Sequence, residues 1–153
     1  MAFMTRDRGP LPPVILLLSI GLQIALHKWL PVTTVLPAPW HWIGALFIVC
    51  GAAVMAGPVL SFHRRETTIV PFQESSALVT EGMYRYTRNP MYVSMVLILI
   101  GVAALTGSLS PFAVPLLFVP VLNARIIRHE EAMLEERFGD TYREYCRRVR
   151  RWL

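Results

Sequence analysis

Two short runs hold most of the residues able to do chemistry. The first is Gly82-Met83-Tyr84-Arg85-Tyr86-Thr87-Arg88-Asn89-Pro90-Met91-Tyr92, which gathers two arginines and three tyrosines ahead of an apolar stretch. The second is Arg128-His129-Glu130-Glu131, which follows another apolar stretch. Arg88 can hold a carboxylate or phosphate through two parallel hydrogen bonds. Pro90 suits a first helical turn with Asn89 near the cap, so the same anion could also meet a helix N-terminus. Glu130 and Glu131 are the acids best placed to pair with a cation. On a helix they point about 100° apart, so at most one faces a given pocket. Arg125, Arg128 and Glu131 recur every three residues and could line one edge. Each feature also has a plain structural reading. Arg88 could anchor a loop to lipid headgroups. Tyr84, Tyr86 and Tyr92 could be interfacial belt residues rather than a surface for an adenine ring or a sulfonium. Glu131 could pair with Arg128, and Glu135 and Glu136 continue that pattern into solvent.

These groups need elements to position them, and the composition points to a bilayer. The chain has 153 residues, enough for one domain, of which 54% are hydrophobic and 16% charged. Soluble domains carry about 25% charged residues. Mean hydropathy is +0.47. Apolar runs occupy residues 14–30, 40–62, 91–106 and 111–127, leaving a loop at 63–90 and a tail at 128–153. The expected fold is all-α: a polytopic membrane protein with about four transmembrane helices and a C-terminal amphipathic helical segment. The third run rises only about 24 Å as a helix, so the third and fourth form a tight hairpin around Gly107-Ser108-Leu109-Ser110. Ala52, Ala53, Ala56 and Gly57 form a small-residue face for close helix approach. Pro111, Pro115 and Pro120 should make the fourth helix irregular, and the carbonyls they free need partners within the protein.

Charge sets the expected orientation. Lys28 is the only lysine. Arg6, Arg8, Arg64, Arg65, Arg85 and Arg88, with Arg125, Arg128 and the arginines of the tail, fall on the opposite side from it. By the positive-inside rule both termini, the 63–90 loop and the site are cytoplasmic. In the tail, Leu134, Phe138, Tyr142, Tyr145, Val149 and Trp152 recur at helical spacing, as an amphipathic helix on the inner surface would require. Gly139 interrupts that helix and Asp140 can cap the next.

Several functions lose support. All ten acidic residues lie outside the four spans, so the membrane-embedded acid of a proton-coupled transporter is missing. Cys50 and Cys146 form no disulfide framework or metal motif. His27, His41 and His63 are scattered singly, and no histidine pair has metal-site spacing. The net charge of +5 fits anionic lipid headgroups better than nucleic acid, given the apolar spans. The expected partners are the bilayer and a lipophilic acceptor, without nucleic acid or metal.

The two runs together resemble the isoprenylcysteine carboxyl methyltransferase family and the related phospholipid methyltransferases. The pattern is Gly82-x-Tyr84-x-x-x-Arg88-Asn89-Pro90-x-Tyr92, followed by Glu130-Glu131-x-x-Leu134-x-x-x-Phe138-Gly139-x-x-Tyr142-x-x-Tyr145. It covers roughly residues 78–153. The resemblance implies an integral membrane enzyme that uses S-adenosyl-L-methionine in a cytoplasmic pocket open sideways to the bilayer. It implies catalytic roles for Arg88, Asn89, Tyr92 and Glu131. It implies cofactor binding by Val79, Gly82, Tyr84, Arg88, Asn89, Pro90, Tyr92, Arg128, His129, Glu130 and Glu131. Many relatives have histidine where this chain has Asn89, which can donate the same hydrogen bond but cannot titrate. The chain is also shorter than the eukaryotic prenylcysteine enzymes. The expected activity is methyl transfer to a small lipophilic acceptor, an isoprenylcysteine-type carboxylate or similar. Phospholipid N-methylation and a non-catalytic membrane scaffold or sensor are the alternatives.

Overall fold

The computed structural model describes residues 12–64 and 78–153, and the side chains of all of these except 60–64. Arg6, Arg8 and Arg65, and the side chains of His63 and Arg64, lie outside the described residues. Among the described residues, five α-helices follow one another: α1 (Pro12–Trp29), α2 (Ile43–Arg64), α3 (Pro90–Thr106), α4 (Ala113–Leu122) and α5 (Arg128–Arg148). A single π-helical turn, Asn123–Ile127, fuses α4 to α5. Among the described residues, three segments are long and apolar enough to cross a membrane: Pro12–Trp29, Trp40–Val59 and Ser110–Arg148, the last through α4 and the π turn. The fourth apolar segment is the shorter α3. The protein is thus an all-α, multi-pass membrane protein.

The core forms around α3. Tyr92, Met95 and Leu99 are buried there against Phe118, Leu122, Ile126 and Ile127. Leu17, Leu18 and Leu22 on α1 are exposed, as are Leu116, Leu117 and Val121 on α4. Lipid covers such faces, so the helices need bury only one side each. Trp29, Trp40 and Trp42 are also exposed. They cluster at the end of α1 and the start of α2, where an aromatic belt belongs.

The closest helix approach corrects the sequence reading. Ala52, Ala53 and Ala56 are exposed. Instead Gly44 and Gly51 of α2 face Gly101 and Ser94 of α3. A Cβ on Gly101 would sit 2.6 Å from the Gly44 carbonyl oxygen, and one on Gly51 would sit 2.9 Å from that of Ser94. The two backbones touch, and no side chain larger than hydrogen fits. Gly101→Leu should therefore cost at least ~1–3 kcal/mol through overpacking. Ala52→Leu should leave thermal unfolding in detergent unchanged.

The end of the bundle away from the two chemical runs is pinned by hydrogen bonds. Val35 and Leu36 donate to the Gly107 carbonyl, and Leu109 donates to that of Thr33. Gly107 ends α3 in the left-handed region (φ 70°), which favours glycine. Gln23 is fully buried on α1, and its Nε2 donates to the carbonyls of Leu99 (2.8 Å) and Pro111 (3.2 Å). Pro115 has no N–H to give Pro111, so Gln23 takes the place of the missing donor. His27, expected as a lone anchor, pairs with Ser108.

At the other end, the π turn begins three residues after Pro120. An inserted residue turns everything after it by about 100°. Gly139 breaks α5 as expected, with φ 50° and ψ −123°. The predicted apolar face of α5 is real, and the protein itself covers part of it. Tyr142, Tyr145 and Val149 are buried with Leu78, Leu134, Phe138 and Cys146. The helix also stops at Arg148, where Val149 is extended (φ −123°, ψ 131°). Trp152 therefore does not continue the helical face. It packs against the α3–α4 core, carried there by a chain reversal that spacing alone does not reveal.

Candidate active site

Three elements meet at this end of the bundle: the 78–89 segment, the start of α3 and the start of α5. Gly82 opens the 3-10 turn Gly82–Arg85 at φ 62°. That turn brings Tyr84 inward, where its carbonyl accepts from Tyr145 Oη (2.7 Å). Val79, five residues before Tyr84, is buried, and Pro90 starts α3. Asn89 caps α3 with backbone geometry only, since its side chain makes no capping bond. Its Nδ2 instead donates to the Arg151 carbonyl (2.9 Å). Thr87, fully buried, donates to the same carbonyl (3.2 Å) and accepts from Asn89 N–H (3.1 Å).

The two glutamates have different partners. Glu131 lies between two guanidiniums. Arg151 grips it with Nε to Oε1 (3.0 Å) and Nη2 to Oε2 (2.6 Å), and Arg88 Nη1 stands 3.1 Å from Oε1. The ordinary Glu131–Arg128 pair allowed by the sequence gives way to these contacts. Glu130 instead accepts a hydrogen bond from Tyr92 Oη (2.8 Å). Burial pushes its carboxyl up to about 7; the Tyr92 bond opposes this and the Glu131 charge adds to it. Burial, then Tyr145 and Glu130, likewise raise the Tyr84 phenol. Arg88 also donates from Nη1 to Cys146 Sγ (2.8 Å). Its Nε is buried and has no hydrogen-bond partner among the described residues.

The structure therefore brings Val79, Tyr84, Arg88, Asn89, Pro90, Tyr92, Glu130 and Glu131 to one end of the bundle. Gly82 is exposed at its edge. Arg128 and His129 are exposed on α5, and Tyr86 is exposed on the loop. Glu135 belongs to an exposed ion pair with Arg143, the bland reading the sequence favours. Sequence reasoning missed Thr87, Cys146, Arg151 and Trp152. Only the return of the chain after Val149 brings Arg151 and Trp152 back to the site.

The Glu130 shift has a pH consequence. Its folded value, about 7, lies above the ordinary 4.5. The folded protein therefore holds this proton more tightly than the unfolded chain does. That contribution is complete below about pH 4.5 and is lost as pH rises through about 7. The ligand-free protein should lose thermal stability across that window, and Glu130→Gln should flatten the loss. An equally steep profile in the variant would assign the titration to another group.

Fold and site together define a multi-pass helical membrane protein with an arginine–carboxylate cluster at one end of its bundle. A family profile described as phospholipid methyltransferase matches residues 39–141, about two thirds of the chain, and the chain belongs to that family. It is similar to the cobalt-zinc-cadmium resistance protein CzcN of Cupriavidus metallidurans, with 36% identity over 71% of this chain and 49% of that one. It is 40% identical to the protein-S-isoprenylcysteine O-methyltransferase of Schizosaccharomyces pombe over 47% of this chain and 30% of that enzyme. Among solved structures, it resembles the eukaryotic intramembrane Ras methyltransferase ICMT (isoprenylcysteine carboxyl methyltransferase). The TM-score is 0.65 at 28% identity, over 90% of this chain and 50% of that one. The chain thus spans about half the length of CzcN and of the solved enzyme.

Proposed function

We propose that this protein transfers a methyl group from S-adenosyl-L-methionine to a small lipophilic acceptor at the membrane face. One observation carries the reading: among the described residues, the buried Nε of Arg88 has no hydrogen-bond partner, and the Glu130 carboxylate accepts from Tyr92 and meets no guanidinium. An amino-acid end group carries one carboxylate and one ammonium, and this pair complements both. Arg88 would take the carboxylate, and Glu130, oriented by Tyr92, the ammonium. Val79, Gly82 and Tyr84 would flank the adenosine. Asn89 serves as a strut, fixing the loop to the Arg151 carbonyl. The cofactor supplies an already activated methyl group, so the residues around it need only exclude water and align the acceptor.

A carboxylate or thiolate acceptor needs no base. An amine must lose a proton, and in that reading Glu130, with its raised carboxyl, would take it in place of pairing with the cofactor's ammonium. That observation keeps phospholipid N-methylation as a second reading. Incubating purified protein with methyl-labelled cofactor and a lipid extract tests both. Label in a base-labile ester supports the first reading, and label in a headgroup amine the second. No label in any lipid would leave the scaffold reading standing.

The site is proposed to face the cytoplasm, because the arginines gather at its end of the bundle. In a Cys50→Ser, Cys146→Ser background, Thr33→Cys should be labelled from outside only and Glu136→Cys from inside only. The opposite pattern would invert the protein.

A further inference from the structure

The segment after α5 does more than end the helix. Val149 is extended, and the chain then runs back along the 87–89 loop. Arg88 N–H donates to the Arg150 carbonyl (2.9 Å), and Thr87 and Asn89 both donate to that of Arg151. The Arg151 side chain meanwhile reaches Glu131 with two parallel bonds. Beyond it, Trp152 Nε1 donates to Asn123 Oδ1 (3.2 Å), at the first residue of the π turn. One three-residue strap thus touches the loop before α3, the start of α5 and the turn that sets the rotation of α5.

We propose that Arg151 is the positioning residue of this site: it holds Glu131 in place so that Glu131 in turn fixes Arg88, leaving Glu130 as the carboxylate free for a ligand. The geometry gives each partner a reason. Glu131 has two oxygens and Arg151 engages both, while Arg88 Nη1 approaches only Oε1. Planar two-pronged pairing fixes the carboxylate plane as a single contact would not. With Glu131 fixed, Arg88 Nη1 stays between Glu131 and Cys146, and its buried Nε stays without a partner among the described residues. Without Arg151, Glu131 can swing, and the Arg88 fork loses its bearing. Arg151 is half-exposed, with 38% of its side chain accessible, against 16% for Arg88. It stands behind the site. What it does for a ligand it does through Glu131, and the benefit to cofactor binding rests on the function proposed above.

Cys146 supplies a readout that needs no ligand, because its sulfur lies against Arg88 Nη1. In a Cys50→Ser background, the alkylation rate of Cys146 reports how firmly Arg88 is held. Arg151→Gln and Glu131→Gln should each shift that rate about tenfold in the same direction, and the double variant should shift it no further, because both break one chain of contacts. A residue that merely stabilised the fold would lower the unfolding temperature without this non-additive rate. Should Arg151→Gln fail to fold, Arg151→Lys, which keeps the charge and loses one prong, should give the same pattern at smaller magnitude. An unchanged rate, or effects that multiply in the double variant, would overturn the proposal. S-adenosylhomocysteine titration separates this from the cofactor reading. Wild type that binds, with Arg151→Gln at least tenfold weaker, supports both, and equal binding by the two overturns the positioning role. Wild type that does not bind sinks the cofactor reading alone, and the Cys146 rates still decide the role of Arg151.

Discussion

Arg88→Lys should remain folded and membrane-inserted yet bind S-adenosylhomocysteine about ten- to a hundredfold more weakly. Lysine keeps the positive charge, so pairing with Glu131 and attraction to anionic lipid survive. It loses the planar fork, and with it the buried Nε that has no partner among the described residues. A hydrogen bond to a charged group contributes about 1.5–3 kcal/mol, which sets the size of the expected loss. Isothermal titration in detergent or nanodiscs reads it directly. If Arg88→Lys binds like wild type, the two-pronged role is wrong, and the anion site belongs near Arg125 and Arg128 instead.

The second large effect separates two adjacent residues by sign. Glu130→Gln removes a buried carboxylate that no guanidinium among the described residues neutralises. The ligand-free variant should be more heat-stable than wild type above about pH 7, because a costly charge is gone. Its affinity for S-adenosylhomocysteine should fall by an amount on the order of 2–5 kcal/mol, the cost of leaving a ligand charge without its partner. Glu131→Gln should behave in the opposite way at the level of the fold. It strands Arg88 and Arg151 together, and breaking a buried pair costs about 3–5 kcal/mol, reduced here because Arg151 is half-exposed. Its unfolding temperature should fall. Glu135→Ala, in an exposed pair with Arg143, should change neither quantity. Identical small effects at positions 130, 131 and 135 would return all three to a solvated helix face.

Much of this was legible because membrane helices announce themselves by length and apolar content. Residues 40–62 and 91–106 fall almost on α2 and α3. The proline-started α3 after Arg88 and the break at Gly139 were likewise readable from local rules. What sequence could not give lies in long-range geometry. Glycines at 44, 51 and 101 form the α2–α3 contact, yet a local spacing rule favoured the alanines at 52, 53 and 56. Those alanines lie on the other side of the same helix. Nothing local distinguishes Glu130 from Glu131 either. The distinction depends on the π turn that rotates α5 and on an arginine twenty residues away that returns after an extended Val149. Trp152 kept helical spacing in the sequence and still belongs to a different element.

The most direct measurement is calorimetric titration of the purified full chain with S-adenosylhomocysteine at pH 7.5 and again at pH 5.5. The expected result is one saturable site per chain, at least about tenfold weaker in both Arg88→Lys and Glu130→Gln. Binding should also be weaker at the lower pH, where Glu130 is protonated and cannot meet an ammonium. Absence of binding in folded wild type, or binding indifferent to both variants, would contradict it.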